Sequence, residues 1–390
     1  MLCTASANFK KMNNNYHNLG GTIRAKKAGE TYRRILPIAE KIGVTRVANV
    51  TGLDYLGIPV AIAIRPDSQH LSVSQGKGSS ILLAKVSALM ESIELWHAEN
   101  LPPPGIKNTS YAEQAANRKD FLEPLKLVNK LYSHNNINQK KLDWLEAIDL
   151  MSGRSVFVPR AAVSLNSVSD RTIDSLLFNT SSNGLASGNT QDEALCHALY
   201  EVIERDAFAK WRKKTKDEQL DTCISIETIT SPLASELLKK MLGAKIEIDL
   251  YNITASNGLP SFVCIIHDQD ITRGINAFLG KGTHYDKEVA LLRAITEAAQ
   301  VRLTLISGSR DDVSPGSYYK NHPFTDKKAK GELNYETIPQ SAFEHDFSLN
   351  IKMILKTLSA DGVTQLLRVN LEKPEIGLPV VKLIAPELRS

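Results

Sequence analysis

A chain of 390 residues with 42% apolar and 23% charged residues has the make-up of a folded globular protein, and its length allows two or three domain-sized cores. That composition excludes a disordered chain, a collagen-like fibre and a small disulfide-braced scaffold, and no apolar run approaches the roughly 18 residues that a membrane-spanning helix needs. Lys and Arg exceed Asp and Glu by only 4 and form no block of five or more basic residues, so the charge carries no nucleic-acid footprint. The expectation is a soluble cytoplasmic protein with neither a nucleic acid nor a membrane as partner.

Residues 1–19 are rich in asparagine, lack the apolar core of a signal peptide, and are expected to be poorly ordered. Thr31 to Ile42 has the periodicity of an amphipathic helix, and Arg46 to Leu53 and Ile58 to Ile64 read as strands. A Gly-Ser cluster then leads into a long helix from Ser80 to Ala98. Pro102 to Gly105 break the chain, and residues 106–140 read as a mobile, mostly helical insertion. Leu145 to Val158 reads as a hairpin. A loop and helix follow over residues 180–215, and the strands Lys245 to Tyr251 and Phe262 to His267 precede another glycine loop and helix. Residues 310–346 are polar and lysine-rich, the pattern of a flexible loop. The fold class is mixed α/β, with the sheet order open. The cysteines Cys3, Cys196, Cys223 and Cys264 are too scattered for a zinc site or a disulfide framework, and Cys196 reads as core.

One pattern occurs three times. Ala84, Ala88, Glu91 and Glu94 form the first copy; Ala194, Ala198, Glu201 and Glu204 the second; Ala290, Ala294, Glu297 and Gln300 the third. Each copy follows a glycine cluster (Gly76-Lys77-Gly78, Gly184 to Gly188, Gly280-Lys281-Gly282), with 13, 13 and 15 residues from the last glycine to the first glutamate. Residues three apart share a helix face, so each helix carries an oxygen-bearing pair beside a stripe of alanines. If the three helices converge, five carboxylates and one amide meet, and only cations between them relieve the repulsion. Oxygen ligands of this kind suit Mg²⁺, which fills its shell with waters and substrate phosphates. Arg205, next to Glu204, supplies fixed positive charge for a phosphate. Apolar neighbours such as Leu89, Ile93, Leu199 and Ile203 favour burial of the pairs over a solvated face.

Other chemistries find less support. Neither Gly274 to Gly282 nor Gly76-Lys77-Gly78-Ser79 completes a Walker loop. Glu94-Leu-Trp-His97 is half of a di-iron carboxylate signature, which keeps a di-metal oxidase built on Glu94 and His97 as an alternative.

Further motifs run in order along the chain: Gly43-Val-Thr-Arg46, Leu53-Asp54 with Gly57-Ile-Pro59, Arg65-Pro66, Gln75-Gly-Lys-Gly78, Ser182-Asn183-Gly184, Gly188-Asn189-Thr190, Glu201-Val-Ile-Glu204-Arg205 and Arg310-Asp311-Asp312. On these residues the chain, from about Gly20 to Pro386, resembles the YcaO family of ATP-dependent enzymes that modify peptide backbones. The resemblance implies a YcaO domain over residues 20–390, with the three glycine-and-helix units around a nucleotide site and ATP and Mg²⁺ as cofactors. It implies that Glu91, Glu94, Glu201 and Glu204 hold Mg²⁺ over the phosphates, with Glu91, Glu201 and Arg205 central to catalysis. Asn189, Glu193 and Arg205 match further nucleotide positions, and Ser87 lies one turn before Glu91. Arg24 and Thr31 match a basic residue and a hydroxyl seven apart, where members often carry Lys and Ser. Glu297, Gln300 and Arg302 are the candidates on the third helix.

Members of this family let a nucleophile add to a peptide carbonyl and phosphorylate the amide oxygen, giving an azoline, thioamide or amidine. Azoline-forming members typically end in a Pro-x-Pro-x-Pro tail, which Val380 to Ser390 lacks. The ending looks more like members that work with a TfuA-type partner, where thioamidation is an outcome; thioamide and azoline both stay open. With no peptide-clamp module before residue 20, the resemblance implies a partner protein beside the precursor peptide or protein substrate, and a homodimer is left open. A non-catalytic family member that keeps ATP only as a scaffold is the remaining alternative.

Overall fold

A computed structural model describes residues 16–116, 120–128, 136–166, 177–178, 180–268, 277–313, 331–342 and 344–389. In chain order it contains β1 (His17–Asn18), β2 (Ile23–Arg24), α1 (Ala28–Lys41), β3 (Arg46–Asn49), β4 (Val60–Ile64), β5 (Val73–Lys77) and α2 (Ile81–Glu99). Next come β6 (Ile106–Thr109), α3 (Tyr111–Ala116), β7 (Leu142–Asp149), β8 (Ser155–Pro159), β9 (Leu185–Ser187), α4 (Gln191–Trp211), α5 (Lys216–Leu220) and α6 (Pro232–Gly243). The chain continues through β10 (Ile246–Asn252), β11 (Ser261–Asp268), β12 (Ala277–Thr283), α7 (Lys287–Ser307), α8 (Phe347–Ala360), β13 (Leu367–Asn370) and β14 (Val380–Ile384).

These elements form one arrangement three times: helix, antiparallel strands, helix. The meander β3-β4-β5 is covered by α1 and α2, and the meander β10-β11-β12 by α6 and α7. The third copy is assembled from distant pieces. Strands β13, β14 and β9 pair antiparallel in that order, with α8 preceding β13 and α4 following β9. Apolar faces close each copy: Ile35 and Ala39 with Leu89 and Ile93, Leu237 and Met241 with Ile295, and Ile354 and Leu358 with Leu199 and Ile203. The rest of the large sheet, β6-β7-β13 with β8 on the far side of β7, attaches to the third copy.

The glycine clusters do not act as simple turns. Gly76 lies in β5 and Gly280 in β12, flat against the following helix. A Cβ on Gly76 would meet Ala84 O and Ala88 N at 2.1 Å, and one on Gly280 would meet Ala294 O at 2.1 Å and Ala298 N at 2.2 Å. The strand backbone therefore touches the helix backbone, which is why alanines recur four apart. Each of the three helices starts at a side-chain cap: Ser80 accepts from Leu83 N–H, Thr190 from Glu193 N–H, and Asp286 from Glu288 and Val289 N–H. Cap and close contact together set both the start and the rotation of each helix.

Several expectations change. Residues 16–19 are not disordered, because His17–Asn18 pair with Ile23–Arg24; residues 1–15 lie outside the described residues. Among its described residues the 106–140 segment opens with β6, an edge strand on β7, and α3 is the longest helix; residues 117–119 and 129–135 lie outside the described residues. Of the 310–346 segment, residues 314–330 and 343 lie outside the described residues, and Leu333 bridges to Ile224. Cys196 is buried core, its thiol donating to Phe347 O at 3.4 Å. Among the described residues no helix is long and apolar enough to cross a membrane.

Candidate functional site

The faces of α2, α4 and α7 that carry the repeated pairs line one cavity of about 420 Å³. Glu91, Glu94, Glu201, Glu204, Glu297 and Gln300 all reach it, with Ser87, Arg205 and Arg24. Strand backbone fixes the carboxylates. Gln75 N–H in β5 donates to Glu91 Oε2 at 2.7 Å, and Lys281 N–H in β12 donates to Glu297 Oε1 at 3.4 Å. Each of these donors precedes a glycine packed on the helix, so the Gly–Ala contact and the carboxylate anchor belong to one device. Glu94 Oε1 accepts from Ser187 N–H at 2.7 Å and Ser187 Oγ at 2.6 Å, which ties α2 to β9.

The cavity is electrostatically divided. Burial pushes the Glu91, Glu94 and Glu201 carboxyls up, Glu94 to about 8 despite its two Ser187 hydrogen bonds, and Glu91 and Glu201 raise it further. Burial also acts on Glu297, but Lys77 and Lys281 outweigh it and hold that carboxyl down at about 2. Lys77 Nζ pairs directly with Glu297. Arg205 stands 3.5 Å from Glu201 and stays protonated against burial because Glu204, Glu201 and Glu297 surround it.

A smaller, more apolar pocket of about 60 Å³ adjoins the cavity and shares Arg24, Lys77, Ser87, Met90 and Arg293 with it. Leu83, Val86, Leu237 and Leu292 form its apolar wall. Thr31, Asn189 and Glu193 meet here: Thr31 Oγ1 donates to Asn189 Oδ1 at 3.1 Å, and the fully buried Glu193 accepts from Ala25 N–H at 3.0 Å and Asn189 N–H at 3.1 Å. Arg24 lies 3.4 Å from Glu193. Residues more than 150 positions apart in sequence thus make one cluster.

Arg302 requires a correction. It points away from the cavity and is buried between Asp54 (2.9 Å) and Asp268 (3.2 Å), with Nη2 also donating to Tyr55 Oη at 2.8 Å. Two positions beyond Gln300, a helix has turned through about 200°, onto the opposite face. Replacing Arg302 by Leu removes the cation held between two buried carboxylates and is expected to cost about 3–5 kcal/mol in denaturant unfolding. His97 also lies off the cavity: it is fully buried, its Nδ1 is 2.7 Å from Ile93 O, and burial lowers it to about 4. Glu94 and His97 therefore do not face a common metal.

Sequence reasoning passed over Lys77, Lys281, His197, Arg293 and Ser187. The two lysines were visible as the centres of the Gly-Lys-Gly triplets, and both bracket Glu297. His197 lies on the same face of α4 as Glu193 and Glu201, four residues from each. Burial and the charges of Arg24 and Arg293 keep its imidazole neutral.

The donors fit Mg²⁺ bound together with phosphate. Among the described residues no three acidic, His or Cys side chains close into a cage. Magnesium is ordinarily held by one or two carboxylates with waters and phosphate oxygens completing the octahedron, which a ring of separate carboxylates allows.

A pH effect of unusual sign follows from Glu94. Between its ordinary 4.5 and about 8 the folded protein keeps a proton that the unfolded chain has released. The stability that this proton contributes is therefore lost as pH rises through that window, by up to about 1.4 kcal/mol per pH unit. The urea midpoint of wild type without Mg²⁺, taken relative to that of Glu94→Gln, is expected to fall from pH 5 to pH 8.

Comparison with known proteins places this geometry. A family model described as YcaO cyclodehydratase, ATP- and Mg²⁺-binding, matches residues 75–389. An uncharacterized protein in the tfuA 3′ region of Rhizobium leguminosarum bv. trifolii is 33% identical over 380 residues, covering 94% of this chain and 88% of that protein. The structure of YcaO from Methanopyrus kandleri bound with AMPPCP and Mg²⁺ superposes with a TM-score of 0.74 at 21% identity, over 95% of this chain and 93% of that one. A heterocyclase in complex with substrate and cofactor gives a TM-score of 0.75 at 20% identity over 94% of this chain. This chain spans only 53% of that heterocyclase. At these identities the solved structures show a shared fold.

Proposed function

The chain belongs to the YcaO family of ATP- and Mg²⁺-binding cyclodehydratases, and from that premise we propose that it activates a backbone amide of a ribosomally made peptide or protein by O-phosphorylation: a nucleophile (a peptide side chain for an azoline, an external sulfide-level sulfur for a thioamide) bonds to the carbonyl carbon, and the oxygen leaves as phosphate. The observation that carries the reading is the convergence of Glu91, Glu94, Glu201 and Glu204, with Arg205, on one cavity.

An amide oxygen is a poor leaving group, and ATP with Mg²⁺ supplies the phosphoryl group that makes it a good one. Phosphoryl transfer asks the protein mainly for positioning and charge neutralisation. Glu91, Glu94, Glu201 and Glu204 would hold Mg²⁺, and the raised carboxyls of Glu91, Glu94 and Glu201 show what burying a charge there costs without a cation. Arg205 offers a guanidinium to the charge that grows on the transferring oxygens. Glu297, already neutralised by lysines, is suited to holding Lys77 and Lys281 in place rather than to binding metal. Thr31, Asn189, Glu193 and Arg24, beside the apolar pocket, are suited to the nucleoside end, while Ser87 and Gln300 lie on the walls between.

The relative encoded in a tfuA 3′ region supports a TfuA-type partner, and the E. coli microcin synthetase McbBCD complex with pro-MccB17 bound, a structural neighbour, supports a precursor substrate. The retained carboxylates speak against a scaffold role, since a decayed site has no use for four acids converging on one cavity.

Calorimetry with Mg²⁺ and AMPPCP tests the reading without the peptide. Wild type is expected to bind, and Glu91→Gln is expected to weaken binding by about tenfold or more, the value of one charge-assisted contact. Absence of Mg²⁺-dependent binding in wild type sinks the proposal.

A further inference from the structure

Arg310-Asp311-Asp312 stands beyond the end of α7, where Gly308 closes the helix in the left-handed region (φ 56°). Asp311 does the anchoring. Its Oδ2 accepts from Ser72 N–H at 2.9 Å and its Oδ1 from Ser72 Oγ at 2.9 Å, which fastens the segment to the residue preceding β5. With that hook made, Arg310 is not needed to hold the segment, yet its side chain is turned into the cavity and largely buried there.

The position within the cavity is informative. Arg24, Lys77 and Arg293 also line the small apolar pocket, whereas Arg205 and Arg310 line only the large cavity. A nucleotide with its base in the apolar pocket would extend its phosphates toward the end held by Arg205 and Arg310. Arg310 faces Glu91 from α2, His70 from the loop before β5, and its own neighbours Asp311 and Asp312. Asp312 takes one edge of the guanidinium, accepting from Nε at 2.8 Å and Nη2 at 2.5 Å. This is the bidentate pairing that a phosphate makes with arginine. Asp312 thus occupies the groups an incoming anion would use.

We infer that Arg310 contacts the outermost phosphoryl group of the bound nucleotide, with Asp311 as its positioning residue and Asp312 as the carboxylate that the phosphate displaces. The inference rests on the ATP reading above and adds to it the residue that distinguishes a triphosphate from a diphosphate.

Calorimetry with Mg²⁺–AMPPCP and Mg²⁺–ADP separates the two levels. Arg310→Met is expected to weaken AMPPCP binding by about tenfold to a hundredfold while ADP binding changes less than about twofold, and Arg310→Lys is expected to recover part of the loss. The retained ADP binding serves as the control for folding. Asp312→Asn, which removes the competitor, is expected to tighten AMPPCP binding selectively, a gain that a merely structural role does not produce. Equal losses for both nucleotides, or no loss for either, overturn the assignment of Arg310 while leaving the ATP reading intact. Failure of wild type to bind either nucleotide overturns the ATP reading and the inference with it.

Discussion

Glu201→Gln is expected to lower ATP-dependent amide modification by about 10³-fold or more, because it removes one of the carboxylates that would hold Mg²⁺ against the charge growing on the transferring phosphoryl. The side chain keeps its shape, so loss of fold is not the cause. Glu201 accepts no backbone hydrogen bond among the described residues, and its one ion-pair partner there, Arg205, is 3.5 Å away and also faces Glu204 and Glu297. Burial already disfavours its charge, so a neutral amide is expected to leave the melting temperature unchanged or slightly raised. Release of ADP and phosphate in the presence of peptide and partner is the assay, with thermal unfolding measured alongside. Full turnover by a folded Glu201→Gln protein would remove Glu201 from the mechanism.

Gly76→Ala is expected to destabilise the protein by several kcal/mol, at or above the upper end of ordinary overpacking. The added methyl would sit 2.1 Å from Ala84 O and Ala88 N, which are backbone atoms of α2 and have no rotamer through which to escape. Either β5 or α2 must move, and the Gln75 N–H that holds Glu91 moves with them. Nucleotide binding is therefore expected to fail together with stability. Gly29→Ala provides the contrast: Gly29 lies in the first turn of α1 with nothing within 4 Å of a new Cβ, and a gain of about 0.5 kcal/mol is expected there. Denaturant unfolding of the two variants decides the matter. Equal stability of Gly76→Ala and wild type would show that the glycine–alanine contact is not what sets the helix.

Part of this architecture is written locally. Helical period places Glu91 with Glu94, Glu201 with Glu204 and Glu297 with Gln300 on single faces, and the alanine stripe beside each reports that something packs closely there. The same periodicity, followed two residues further, turns Arg302 to the opposite face, where Asp54 and Asp268 hold it. The glycine clusters were recognisable, but their strand character was not, because a glycine pressed against a helix and a glycine in a turn have the same sequence signature.

By itself the sequence determined which residues could serve as oxygen ligands, that they recur on three equivalent helices, and that a buried acidic site needs cations. Only the tertiary structure decided how basic groups are held in that site: Lys77 reaches Glu297 across 220 positions, the segment carrying Arg310 is fastened through Asp311 to Ser72, and Arg24 meets Glu193 from a separate segment. Only the tertiary structure showed, too, that one of the three copies is spliced from β9–α4 and α8–β13–β14. The physical reason is common to both. A helix face follows from spacing along a few turns of chain, whereas contact between segments hundreds of residues apart depends on strand pairing and backbone packing that no local pattern encodes.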